Sequence, residues 1–217
     1  MLVGERMTKP AITARPETPI PDALALMHNE RIRRLPVVNK RGELIGIVTE
    51  ADLLKASPSE ATSLSIYEIT YLLSKLTLER IMTRQVITVT EDIPVEEAAR
   101  IMADNGISGL PVMRGKELVG IITETNLFRI FLELLGARRA GVRITASVPD
   151  TPGELANLSK AIQDVGGNIV ALGTFLGETP AKGLITLKVD GVDMEPLKKA
   201  IQPFVEKIMD IRMTSGV

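Results

Sequence analysis

Two pairs of side chains carry the clearest chemistry in the sequence. Thr49 is followed three residues later by Asp52, and Thr123 is followed at the same spacing by Asn126. Each pair follows a short run of small and branched apolar residues, Gly46-Ile47-Val48 and Gly120-Ile121-Ile122. A hydroxyl three positions before an acid or amide suits a strand that turns directly into a helix, the Thr serving as N-cap. Two chemistries fit. The pair either caps the helix and nothing more, or it binds a sugar, since a carboxylate accepts hydrogen bonds from both hydroxyls of a vicinal diol. Asn126 accepts only in part and lacks the charge-assisted bond, so the two copies are expected to be unequal, with the Asp52 copy the better ligand site.

Other residues could add to such a site. Arg33 and Arg34 precede Leu35-Pro36-Val37, whereas the second copy has Ser108 and Gly109 before Leu110-Pro111-Val112. Adjacent guanidiniums suit phosphate through planar paired donors; solvated surface arginines are the alternative. His28 lies on an expected helix with no second His and no acid cluster at ligand spacing, which favours a structural role. GxxxxGK[ST], GxGxxG, HExxH and GxSxG are absent, so the common catalytic signatures are missing.

These pairs belong to a repeat. Residues 7–53 and 82–127 align through Met7-Thr8 and Met82-Thr83, Ile12-Thr13 and Ile87-Thr88, Pro19 and Pro94, Met27 and Met102, and the LPV and GI[VI]T segments. Each copy reads as β-α-β-β-α: a β-branched segment, a helix with an acidic start, a strand pair joined by a Gly-bearing turn, and a helix beginning at the Thr. Such a unit is too small to bury both faces of its sheet alone, so the two copies are expected to pair. A connecting helix is expected over Leu64 to Leu76.

From Val142 the pattern changes to strand, helix, strand, strand, helix, strand, the ferredoxin-like order. Its first helix should present Leu155, Leu158, Ala161, Ile162 and Val165 to a core and stop at Gly166-Gly167. Asp150 to Leu155 forms a turn feeding that helix. Free N–H groups at a helix start favour a carboxylate ligand; alternatively, Pro152 and Gly153 only shape the turn.

Composition narrows the function classes. Apolar residues make up 45% of the 217, charged residues 24% and aromatic residues 3%, so the core must be aliphatic. Basic and acidic residues nearly balance, 26 against 27, which argues against a nucleic-acid footprint. There is no cysteine, which excludes disulfides, thiolate zinc sites and a cysteine nucleophile. MLVGERMTKP lacks the apolar core of a signal peptide, and no apolar run approaches the roughly 20 residues of a membrane span. A cytoplasmic, non-membrane protein is expected.

The doubled unit resembles the CBS domain and its pairing the Bateman module, on Met7-Thr8, Leu35-Pro36-Val37, Gly46-x-x-Thr49-x-x-Asp52 and their counterparts. The C-terminal part resembles the ACT domain, on Asp150-x-Pro152-Gly153-x-Leu155-Ala156 and Gly167-Asn168-Ile169. Together they resemble acetoin-utilisation regulatory proteins of the AcuB group. The resemblance implies an α+β chain divided into a first CBS domain (1–56), helical linker (57–77), second CBS domain (78–135), short linker (136–141) and ACT domain (142–217).

It further implies a regulatory protein without catalytic residues, metal or required cofactor, an allosteric sensor whose CBS pair binds an adenine nucleotide (AMP, ADP, ATP or an adenosyl compound) as regulatory ligand. Ile12, Thr13, Ile87 and Thr88 would line the adenine; Thr49, Asp52, Thr123 and Asn126 the ribose; Arg33 and Arg34 the phosphates; Leu35, Pro36, Leu110 and Pro111 the walls. In the ACT part, Asp150, Gly153, Glu154, Leu155, Asn168 and Ile169 would hold an amino acid. A homodimer and a target enzyme are implied as partners, with each ligand altering the other's affinity by the same factor. The rival reading is an interaction subunit that binds no ligand and controls an enzyme by contact.

Overall fold

The computed structural model describes residues 1–56, 75–177, 179 and 181–216. They form two compact units, Met1–Leu127 and Phe128–Val217. The expected helix over Leu64 to Leu76 lies almost wholly outside the described residues. Among the described residues no helix is long and apolar enough to cross a membrane.

In the first unit both repeats follow the same physical logic. Helix Ile20–Asn29 starts behind Pro19, whose fixed extended geometry suits an entry position, and buries Ile20, Ala23 and Met27 along one stripe. Helix Val95–Asn105 starts behind Pro94 and buries the matching Val95, Ala98 and Met102. Two antiparallel strands follow in each copy: β1 (Arg34–Val38) with β2 (Leu44–Thr49), and β4 (Gly109–Arg114) with β5 (Glu117–Thr123). Each pair carries a register shift at the same place, Val37/Val38 and Val112/Met113. Helices Glu50–Ala56 and Glu124–Leu134 start straight from the closing Thr.

The first strand of each repeat is shorter than the β-branched runs suggest. In the second copy it is only β3 (Val89–Thr90), parallel to β4; in the first it contracts to a single bridge between Ala14 and Val37. Ile12-Thr13 and Ile87-Thr88 lie just before these pairings, outside any strand.

The residues leading into each repeat pack on the other one. Thr8 and Ile121 exchange backbone bonds of 2.9 and 3.0 Å, and Thr83 exchanges two of 3.0 Å with Ile47. Leu78 and Met82, on and after the short helix Leu78–Ile81, belong to the core of the first copy, with Leu78 fully buried. This exchange explains the repeated glycines. A Cβ at Gly46 would come within 2.6 Å of Met82 Sδ, and one at Gly120 within 2.5 Å of Met7 Sδ and 2.9 Å of the Thr8 carbonyl oxygen. Only a glycine lets the methionine lie flat on the strand.

The second unit is built on a four-stranded antiparallel sheet in the order β7-β8-β6-β9: Asn168–Leu176, Lys182–Asp190, Gly141–Pro149 and Lys207–Thr214. Strand β6 alternates strictly, placing Val142, Ile144, Ala146 and Val148 in the core. Helix Glu154–Asp164 covers it with Leu158, Ala161 and Ile162, and helix Met194–Ile201 with Leu197 and Ile201. This second helix gives way to a 3-10 turn at Gln202–Phe204, where Pro203 removes a donor. Leu155, expected on the buried face, is 43% exposed, because the first helical turn borders an open cleft.

Candidate functional site

At the first strand-to-helix junction, the Thr49 backbone N–H and hydroxyl both donate to Asp52 Oδ2, at 2.9 and 2.7 Å, and the Asp52 N–H donates to the Thr49 hydroxyl oxygen at 3.3 Å. The capping arrangement is therefore complete, and it uses a single carboxylate oxygen. Among the described residues no hydrogen bond engages Asp52 Oδ1. A carboxylate oxygen in a half-buried position retains acceptor capacity for a further donor.

The second junction repeats the cap. Thr123 donates through N–H and hydroxyl to Asn126 Oδ1, at 3.0 and 2.6 Å. The remaining half of the side chain is used differently: Asn126 Nδ2 donates to the Arg6 carbonyl at 3.1 Å and to the Thr8 hydroxyl at 3.4 Å. Asn126 is also buried, 8% exposed. Here the amide ties down the leading segment of the other copy, where a carboxylate would have faced a carbonyl oxygen without a proton to give. The Asp/Asn difference thus separates an open acceptor from a closed brace.

A cleft of about 210 Å³ opens at Thr49; Asp52 is not among its lining residues. The first copy contributes Arg34, Ile47 and Thr49, and the second contributes Thr83, Gln85 to Ile87, Gly106 to Gly109 and Pro111. Arg34 faces Thr49 directly across the β1–β2 pair. Its guanidinium donates to the Ser108 hydroxyl, and its stem lies on Gly109, where a Cβ would meet Arg34 Cδ at 2.8 Å. Burial lowers the Arg34 pKa, the charge of Glu124 partly offsets this, and neighbouring Arg33 adds repulsion. The absence of a side chain at Gly109 is thus what lets the arginine of one copy reach into the other.

Of the residues expected to line a nucleotide, Arg34, Thr49, Ile87 and Pro111 line this cleft, with Asp52 bonded to Thr49. Ile12, Thr13, Arg33, Pro36, Thr88, Thr123 and Asn126 are not among its lining residues. Leu35 and Leu110 are fully buried in the packing of their own copies. Sequence reasoning missed Thr83, Gln85 and Val86, and the Gly106 to Gly109 turn. The alignment of Ser108-Gly109 with Arg33-Arg34 held the clue: a small pair opposite a large one leaves room for the large one.

In the second unit a cleft of about 920 Å³ runs along the Asp150 to Ala156 turn, the ends of β7 and β8, and Thr179. It gathers Asp150, Gly153, Glu154 and Leu155; Asn168 and Ile169 begin β7 at its other end and do not line it. Gly153 adopts a left-handed conformation (φ 93°) as the residue before the helix. Glu154 Oε1 is buried with no hydrogen-bond partner among the described residues. Among the described residues no cluster of three or more His, Cys, Asp or Glu could hold a metal ion.

Residues 3–59 and 78–133 match the CBS domain. The chain belongs to the CBS domain family. Residues 140–212 match the TTHA0829-like ACT domain, so the tandem CBS domains are followed by an ACT domain. The CBS domain pair of protein MJ0100, solved with 5'-methylthioadenosine and S-adenosyl-L-methionine, superimposes with a TM-score of 0.52 at 35% identity, covering 64% of this chain and 98% of that one. A Vibrio cholerae protein assigned to acetoin utilization (AcuB) gives a TM-score of 0.53 at 31% identity, covering 63% and 93%. CBSX2 in complex with AMP gives 0.50 at 29% identity, covering 60% and 96%.

The tandem CBS pair also recurs inside enzymes. An L-aspartate semialdehyde sulfurtransferase of Methanocaldococcus jannaschii is 37% identical over 131 residues, and a homoserine O-acetyltransferase of Methanococcoides burtonii is 38% identical over 129. These matches cover 60% and 59% of this chain but only 23% and 24% of those proteins.

Proposed function

We propose that the CBS pair is a non-enzymatic sensor that binds an adenine nucleotide or an adenosyl compound in the Arg34–Thr49–Ile87 cleft. The observation that carries this reading is Asp52 Oδ1, which the helix cap leaves without a hydrogen bond among the described residues, on a side chain bonded to Thr49 of the cleft. Ribose hydroxyls donate to Asp52, the adenine packs against Ile87, and Arg34 turns from Ser108 to a phosphate where the ligand has one. That movement also enlarges the cleft. The AMP, S-adenosyl-L-methionine and 5'-methylthioadenosine complexes of CBS pairs 29–35% identical to this one support the ligand class. Calorimetry of the full chain against AMP, ADP, ATP, S-adenosyl-L-methionine and 5'-methylthioadenosine tests it. Heat with at least one ligand, lost in Asp52→Ala, is expected; no heat with any of them favours the interaction subunit instead.

The Asp150 to Ala156 cleft is the proposed amino-acid site of the ACT domain. Glu154 Oε1, buried and without a hydrogen-bond partner among the described residues, takes the ligand ammonium, and the N–H groups of the first helical turn take its carboxylate. A thermal-shift screen of the twenty amino acids checks this; no stabilisation by any of them would leave the domain a dimerisation element. Assembly as a homodimer and control of an acetoin-pathway enzyme complete the reading, the pathway supported by the likeness to the Vibrio cholerae protein.

A further inference from the structure

A third cavity, in the second unit, has residues that line neither cleft. It measures about 430 Å³ and is lined by Arg129, Leu132 and Glu133 from the helix Glu124–Leu134, by Gly136, Arg138 and Arg139 from the turn after it, and by Val170 on β7. Three guanidiniums face one carboxylate. Arg139 is paired with Asp190 at 3.1 Å, while Arg129 and Arg138 are exposed and have no partner among the described residues.

Beneath the turn lies a fourth cation. Lys188, on β8, is 4% exposed, and its Nζ donates to the Gly136 carbonyl at 2.7 Å and the Arg139 carbonyl at 2.9 Å. Among the described residues it has no carboxylate partner, and burial together with Arg143, opposite it on β6, lowers its pKa. A buried charge without a counter-ion is costly. What this one secures is the shape of the turn: Gly136 adopts φ 57°, and an added Cβ would press on Ala171 at 3.2 Å and on Lys188 Cδ at 3.4 Å. The lysine therefore fixes the backbone that presents Arg138 and Arg139, and adds its own positive potential from below.

We propose that this cavity binds a compact polyanion, a small molecule carrying two or more carboxylates or phosphates close together. The volume lies within the usual range for small-molecule sites, roughly 300 to 1,000 Å³. Planar guanidiniums suit carboxylate and phosphate equally, so the geometry identifies the shared chemistry and experiment separates the two sources. Leu132 and Val170 give the cavity an apolar wall that favours a ligand with a carbon skeleton.

Calorimetry of the full chain at low ionic strength, with citrate and inorganic pyrophosphate as probes, tests the site. One polyanion per chain is expected to bind, citrate alone indicating a polycarboxylate site and pyrophosphate alone a phosphate site. The double variant Arg129→Gln/Arg138→Gln alters two exposed side chains, and an unchanged melting temperature without ligand verifies its fold. It should weaken binding roughly tenfold or more. Arg34→Gln should leave polyanion binding as it was. Three results would overturn the proposal: neither probe binding at up to about 1 mM, the double variant binding like the parent, or Arg34→Gln abolishing the signal, which would place the anion in the nucleotide cleft. Because the adenosine ligands are tested through Asp52, failure here is distinguishable from failure of the nucleotide reading.

Discussion

The two CBS copies share a plan and differ in what each closing junction does with its second polar atom. Asp52 and Asn126 each give one oxygen to a Thr cap. Asn126 then donates to Arg6 and Thr8, while Asp52 Oδ1 has no hydrogen bond among the described residues. The same contrast recurs a few residues upstream, where Arg34 reaches across to Ser108 and lies on Gly109. One copy carries the charged groups and the other makes room for them. Two similar scaffolds thus differ by a few side chains, one junction keeping a charged acceptor and the other closing into a structural brace.

The comparison breaks most sharply at the glycines under the methionines. Gly120→Ala places a Cβ 2.9 Å from the Thr8 carbonyl oxygen, a backbone atom that cannot swing aside, and 2.5 Å from Met7 Sδ. Gly46→Ala meets only the flexible Met82 side chain. Urea unfolding should show a loss of about 3 kcal/mol for Gly120→Ala and about 1 kcal/mol for Gly46→Ala. Equal losses would mean that the leading segment moves as freely as a side chain.

Next come the junctions themselves. Asn126→Ala removes the cap acceptor together with its bonds to the Arg6 carbonyl and the Thr8 hydroxyl, so a destabilisation of about 2 kcal/mol is expected with little change in nucleotide affinity. Asp52→Ala removes only the cap, about 1 kcal/mol of stability, yet should weaken adenine-ligand binding roughly tenfold or more through loss of a charge-assisted bond. Chemical denaturation and calorimetry on the two variants read both quantities. A larger binding loss in Asn126→Ala would refute the assignment of roles.

Much of this was legible in the sequence, and the remainder was hidden for physical reasons. Repeat order, the helix stripes and the ferredoxin-like sheet follow from periodicity and turn residues, and the observed elements match. The Thr-x-x-Asp cap is a local interaction, so spacing alone revealed it. The exchange of leading segments was not legible: it joins Thr8 to Ile121 and Thr83 to Ile47, contacts that no local pattern encodes. The repeated Gly46 and Gly120 were its trace, visible as identities but uninterpretable until Met82 and Met7 were found on them. Leu155 illustrates a different failure. Its spacing fits the buried stripe, but a stripe cannot show that the first helical turn borders an open cleft.

The smallest effect tests the comparison where the copies share a left-handed residue and differ in its side chain. Helix Val95–Asn105 ends at Gly106 in the left-handed conformation, φ 61°, and the aligned position in the first copy is Arg31 at φ 54°. A side chain there carries about 1–2 kcal/mol of strain that glycine lacks, while glycine raises the entropy of the unfolded chain by up to about 1 kcal/mol. Arg31→Gly should therefore stabilise the first unit by about 0.5 kcal/mol, the small difference of these opposing terms. Gly106→Ala should cost about 0.5 kcal/mol by the same opposing terms although an added Cβ would meet nothing within 4 Å, so the whole cost is conformational. Urea midpoints of the two variants should move in opposite directions. If Arg31→Gly destabilised instead, the exposed guanidinium would have to contribute an interaction outweighing the strain, and the first helix would end by side-chain rescue rather than by tolerated strain.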